Sequence, residues 1–259
     1  MLEQIAKRVR KRIESRSRKV WRSEIEAHLL EAAPVRDFRT ALSGPDPDFI
    51  FEIKRQSPSN GAKTLELDPA AVAQLYQRQG ASCISVLTEP EFFAGSLADL
   101  RAVRAVVQLP LLRKDFTIDE FQIAEARAHG ADAVLLIVAL LSEQQLAEFL
   151  HYCREIDMAA LVEVHSESEL EAAINAGADI IGVNNRNLGT LAIDLAVGEQ
   201  LLPLIPSSCV RIAESGIVSR PDVLRLRQSG ADAFLVGSAV MRALNREQKI
   251  RELLGHDED

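Results

Sequence analysis

One tripeptide recurs at near-even spacing and fixes most of what this chain can fold into. Gly80-Ala81-Ser82, Gly130-Ala131-Asp132, Gly177-Ala178-Asp179 and Gly230-Ala231-Asp232 each follow a stretch of helical periodicity and precede an apolar run. The intervals of 50, 47 and 53 residues each hold about two strand–helix units. Glycine there suits the position just past a helix end, where the chain enters the left-handed region.

With those marks in place, eight apolar segments read as strands: 49–55, 83–88, 109–114, 133–139, 160–164, 180–184, 210–214 and 233–236. Helical periodicities fall near 68–79, 96–107, 119–129, 143–155, 166–176, 194–202 and 219–229, with a last helix near 240–254. Asp68-Pro69 and Ser219-Arg220-Pro221 read as capped helix entries. Eight alternating strands and helices predict an α/β fold whose right-handed crossovers close a parallel (β/α)8 TIM barrel.

The 259 residues suit one such barrel domain, with residues 1–45 as an N-terminal helical extension. Leu2, Ile5, Val9 and Ile13 form its apolar stripe, predicting an amphipathic helix packed on the barrel. Residues 7–22 carry nine Lys or Arg against one Glu. A solvated helical face is the ordinary meaning of such a run, with RNA or a membrane surface as the rival partner. The net charge of −8 argues against nucleic acid. No apolar stretch is long enough to span a bilayer, and Cys83, Cys153 and Cys209 form no CxxC pair. These features predict reduced thiols and a cytoplasmic protein.

Chemistry enters where the strands end. Side chains alternate faces along a strand, so Glu52 and Lys54 share one face while Phe51 and Ile53 share the other. The same parity turns Lys114, Glu163, Asn184 and Glu214 into the lumen, at the rim where barrels place their active sites. Two ammonium and three carboxylate groups in a partly dry space suit acid–base work. A structural network of ion pairs would also place them there. Glu214-Ser215-Gly216-Ile217 and Gly237-Ser238-Ala239 offer backbone N–H groups and hydroxyls after strands seven and eight, where barrels often bind phosphate. Phe93 and Phe116 follow strands two and three as an aromatic slot or as core. His165 follows strand five and is read as a hydrogen-bonded structural residue, with reach into the cavity as the alternative, and the other histidines show no metal-ligand spacing. A phosphosugar isomerase, a Schiff-base aldolase using Lys114 and a barrel that only binds a phosphorylated ligand all share this inventory.

Six segments together carry a more specific resemblance. They are Glu52-Ile53-Lys54-Arg55-Gln56-Ser57-Pro58-Ser59, Leu112-Arg113-Lys114-Asp115-Phe116, Leu161-Val162-Glu163-Val164-His165, Gly182-Val183-Asn184-Asn185-Arg186-Asn187-Leu188, Glu214-Ser215-Gly216-Ile217 and Gly237-Ser238-Ala239. In this order they resemble the indole-3-glycerol phosphate synthase family, with departures at Gln56 and Arg113. The resemblance implies a carboxy-lyase of tryptophan biosynthesis acting on 1-(2-carboxyphenylamino)-1-deoxyribulose 5-phosphate. It implies Lys114 as general acid on the ketone and Glu163 as base for the dehydration. Lys54 then protonates the leaving hydroxyl, steadies the phosphate, or both, with Glu52 orienting it. Asn184 and Glu214 hold the sugar hydroxyls and the ring-nitrogen region. Ser57 and Arg186 meet the ring carboxylate, and Leu188 joins Phe93 and Phe116 against the ring. Ser215, Gly216, Gly237 and Ser238 bind phosphate. No cofactor or metal is needed, because the chemistry is not redox. The expected partner is a small phosphorylated substrate, with no nucleic acid or membrane. The expected state is a monomer, with a weak dimer as alternative.

Overall fold

The computed structural model describes residues 2–15, 23, 25, 27–29, 32–56 and 67–256. Helix α1 (Leu2–Ser15) precedes the barrel, whose strands are β1 (Asp48–Ile53), β2 (Cys83–Leu87), β3 (Leu111–Lys114), β4 (Ala133–Ile137), β5 (Ala159–Val164), β6 (Ile180–Asn184), β7 (Val210–Glu214) and β8 (Ala233–Val236). All neighbours pair in parallel, and β1 closes on β8. Between the strands run α2 (Pro69–Arg78), α3 (Leu97–Val106), α4 (Phe121–Ala128), α5 (Glu143–Glu155), α6 (Glu167–Asn175), α7 (Ala196–Leu201) and α8 (Arg220–Gln228). After β8 come α9 (Ser238–Met241) and α10 (Arg246–Leu254).

The predicted final helix is therefore two helices. Asn245 leaves helical geometry and accepts the Gln248 N–H, so its side chain starts α10 afresh. Strand β1 ends at Ile53 and β4 at Ile137, earlier than the sequence pattern suggests, because the chain turns out of the ladder at this rim of the barrel. Helix starts follow their caps: Asp68 holds two N–H groups ahead of Pro69, and Ser142 with Gln145 forms a reciprocal box.

The recurring tripeptide has a double purpose. Its glycines adopt φ of 80° to 101°, and the next N–H bonds back to the helix, as in Ala81 to Tyr76 O and Ala131 to Ala126 O. In three of the four, the side chain of the third residue then pins the entry of a neighbouring strand. Ser82 Oγ accepts the Phe49 N–H, Asp132 accepts the Leu111 N–H and Asp232 accepts the Arg211 N–H.

Two apolar layers result. Phe51, Val134, Val162 and Ile181 face the helices, while Ile50, Leu112, Leu161 and Ile212 fill the lumen. Phe38 and Leu42 join the lumen cluster from the segment before β1. Ile5, Val9 and Ile13 of α1 are buried in that cluster too; the Leu2 side chain lies outside the described residues. Arg8 meets Glu91 at 2.7 Å and Arg12 meets Glu89 at 3.2 Å, so part of the basic face pairs with the barrel. Among the described residues, no helix is long and apolar enough to cross a membrane.

Candidate active site

A cavity of 420 Å³ opens at the C-terminal ends of the strands. The parity expected of each strand places Glu52, Lys54, Lys114, Glu163, Asn184 and Glu214 on its walls. Phe93, Phe116, Arg186 and Leu188 line it as well, together with Ser215, Gly216, Gly237 and Ser238. Ser57 lies outside the described residues.

Lys114 is the electrostatic centre. Its Nζ donates to Glu163 Oε2 at 2.9 Å and to Glu214 Oε2 at 2.6 Å. Burial alone would lower the lysine pKa, but Glu163, Glu214 and Glu52 together raise it, so Lys114 is an ammonium. Across the cavity Lys54 Nζ donates to Glu52 Oε1 at 2.6 Å.

The two carboxylates on Lys114 are not equivalent. Burial would raise Glu163, yet Lys114 and His165 hold it well below the usual carboxylate range. Glu214 is pushed up to about 7 by burial, which outweighs Lys114, with the charge of Glu163 adding to the rise. Glu214 Oε1 is buried without a hydrogen-bond partner among the described residues.

Two glycines make room for Glu214 and Glu52. A Cβ on Gly182 would overlap Glu214 Oε1 and meet Leu161 Cδ1 at 3.0 Å. A Cβ on Gly237 would overlap Glu52 Oε1 and meet Glu52 Cβ at 3.0 Å. Close approach, rather than a turn, requires glycine at these two lumen positions.

His165 is more than a spectator. Its Nδ1 lies 3.1 Å from Glu169 Oε2, and its Nε2 lies 3.3 Å from Glu163 Oε1. The second approach lacks good hydrogen-bond alignment, so it acts as a charge contact. Burial disfavours the imidazolium, but the two glutamates more than compensate and raise the pKa to about 10. His165 is thus hydrogen-bonded, as expected, and it also touches Glu163 directly.

The aromatic pair also has a definite setting. Phe93 and Phe116 ring centroids are 6.2 Å apart. Glu89 accepts the N–H groups of Phe92 and Phe93, and Asp115 accepts that of Phe116. Arg12 from α1 reaches both acids, at 3.2 Å and 3.7 Å. Ile5 and Arg242 line the cavity without having been singled out from sequence. Ile5 belongs to the apolar stripe, so its burial was readable but its destination was not. Arg242 stands four residues beyond Ser238, a helical spacing that could have drawn attention to it.

Similarity to known proteins points one way. A family model described as indole-3-glycerol phosphate synthase matches residues 2–253. A relative of that name from Paenarthrobacter aurescens (strain TC1) is 48% identical, over 97% of this chain and 94% of that protein. Another, from Parafrankia sp. (strain EAN1pec), is 44% identical over 98% of this chain and 94% of that protein. Among solved structures, 3-hexulose-6-phosphate synthase from Salmonella typhimurium aligns with a TM-score of 0.65 at 14% identity, covering 81% of this chain and 97% of that one. That last likeness speaks for the fold alone.

Proposed function

Since the chain belongs to the indole-3-glycerol phosphate synthase family, we propose a division of the reaction's proton transfers among the side chains of this cavity. The overall reaction converts 1-(2-carboxyphenylamino)-1-deoxyribulose 5-phosphate to indole-3-glycerol phosphate, carbon dioxide and water, a carboxy-lyase step of tryptophan biosynthesis.

Lys114 gives its proton to the ketone oxygen, and the ring carbon bearing the carboxylate attacks the ketone carbon. Carbon dioxide then leaves, and the electron pair of the broken bond returns to the ring system. The new hydroxyl departs as water with a proton from an ammonium group, a part that falls to Lys54 in this proposal. Glu163 removes the proton whose loss makes the five-membered ring aromatic. Coupling between Lys114 and Glu163 gives the order of events a physical basis. While Lys114 is charged, Glu163 is a weak base; once that proton has gone to substrate, the stabilising charge is lost and Glu163 becomes a stronger one.

Glu52 keeps Lys54 charged and aimed. Asn184 and Glu214 hold sugar hydroxyls and the ring-nitrogen region, while Arg186 and Ser57 meet the ring carboxylate. Phe93, Phe116 and Leu188 take the ring, and Ser215, Gly216, Gly237 and Ser238, with Lys54, take the phosphate. A cytoplasmic monomer that binds neither nucleic acid nor membrane completes the reading.

The observation that carries the assignment is the meeting of Lys114, Glu163 and Glu214 within 2.9 Å contacts, in one cavity with Lys54. Purified protein incubated with the carboxyphenylamino sugar phosphate should develop indole fluorescence. Borohydride with that substrate should leave no lysine adduct; trapping of an imine would favour an aldolase instead.

A further inference from the structure

We propose that Asn185 is the positioning residue that holds Ser215 and Gly216 in the left-handed turn used for phosphate, an inference that rests on the phosphate assignment above. Asn185 follows β6 directly and is 1% exposed. Its amide joins three segments. Oδ1 accepts the Gly198 N–H of α7 at 2.8 Å, while Nδ2 donates to Glu214 O at 2.9 Å and to Ser215 O at 3.1 Å.

Those two carbonyls belong to the peptide planes on either side of the Ser215 α-carbon. Fixing both planes fixes the φ and ψ of that residue. The restraint matters because Ser215 has φ of +63° and Gly216 has φ of +81°. Glycine accepts such a value freely, whereas serine accepts it only when its surroundings impose it. A nearby side chain must therefore impose the conformation, and Asn185 is in direct contact with both planes.

Only a side-chain amide meets the demand, since one acceptor and two donor bonds are needed in one plane. Position 198 is matched to it: a Cβ there would come within 2.8 Å of Asn185 Oδ1. The backbone of Asn185 adds to the same anchor, its N–H donating to Glu214 O and its carbonyl accepting the Asp194 N–H, both at 2.9 Å. Ser215 and Gly216 line the cavity, and their shape there follows from the grip behind them.

The test compares steady-state kinetics and competition by inorganic phosphate in wild-type protein and in Asn185→Ala. The substrate KM and the phosphate inhibition constant should both rise roughly ten-fold, the scale of one well-placed buried hydrogen bond. Asn185→Asp keeps an acceptor for Gly198 and loses both donors, so it should show the same rise if the alanine variant fails to fold. Repeating the change in a Ser215→Gly background should shift the phosphate constant by less than about two-fold, because glycine needs no restraint there. An unchanged phosphate constant in Asn185→Ala or Asn185→Asp, or equal rises in both backgrounds, overturns the assignment of Asn185. Inorganic phosphate that fails to compete with substrate in the wild-type protein overturns the phosphate site itself, and this inference with it.

Discussion

Gly182 and Glu214 share one volume: Glu214 Oε1 occupies the place that any side chain on residue 182 would need. The other oxygen of the same carboxylate lies 2.6 Å from Lys114 Nζ. A missing side chain on β6 therefore sets where an acid on β7 meets a lysine on β3. Gly182→Ala should drive Glu214 away from Lys114 while leaving the strand ladder intact. A small misplacement of a catalytic group can cost roughly 10²-fold in rate. Circular dichroism near that of the wild type, with kcat/KM reduced on this scale, is the expected result; unchanged turnover would mean Glu214 has no fixed post.

Lys114→Ala and Glu163→Gln should each lose about 10²–10⁴-fold in kcat, the usual cost of removing one acid or base. The two variants should differ in stability. Lys114→Ala leaves two buried carboxylates without their cation, which favours uptake of a proton. Its melting temperature should drop more at pH 8 than at pH 6, as read by calorimetry across that range. Equal losses at both values would argue against the ion-pair account.

His165 and Glu214 make stability depend on pH in the same direction. The folded pKa of His165 is about 10 against an ordinary 6.5, so its stabilising charge is fully present below 6.5 and is lost as pH rises toward 10. Glu214 is about 7 when folded against 4.5, so the folded state holds its proton more tightly and loses stability as pH climbs between those values. Urea unfolding should show a decline from pH 6.5 to 10 that His165→Gln flattens. Glu214→Gln should instead flatten the decline below pH 7. A wild-type curve that rises over either window would contradict the corresponding residue.

Arg12 joins the first helix to the walls of the aromatic slot through Glu89 and Asp115. Hydrogen bonds to charged groups are worth about 1.5–3 kcal/mol when partly buried. Arg12→Ala should lower unfolding free energy by about that amount and raise KM for the ring-bearing substrate. Isothermal denaturation and initial rates measure the two effects. A stability loss with no change in KM would leave Arg12 as a fastener only.

Much of the fold was legible because strand parity and helix-ending glycines are local properties. Strands 180–184, 210–214 and 233–236 end where their apolar runs end, and Glu163 faces inward as its position relative to Val162 and Val164 requires. The break between α9 and α10 is hidden in the sequence because residues 240–254 keep apolar spacing through it, and only the cap at Asn245 marks it. Distances between strands are a different matter. Nothing in the local pattern says that Gly182 stands beside Glu214, that Gly237 stands beside Glu52, or that Asn185 reaches Ser215. Those pairings depend on the register between neighbouring strands and on how far each loop folds back. Ile5 is similar: its stripe announces burial, but whether it meets a helix or a substrate depends on where α1 docks.

That docking brings segments far apart in sequence to one chamber, since Ile5 and Ser238 both line it. The shape of the chamber therefore depends on contacts between segments remote in sequence, which no single strand–helix unit supplies. A ligand held there meets both segments at once, so loosening α1 alters the chamber without touching the strand ladder.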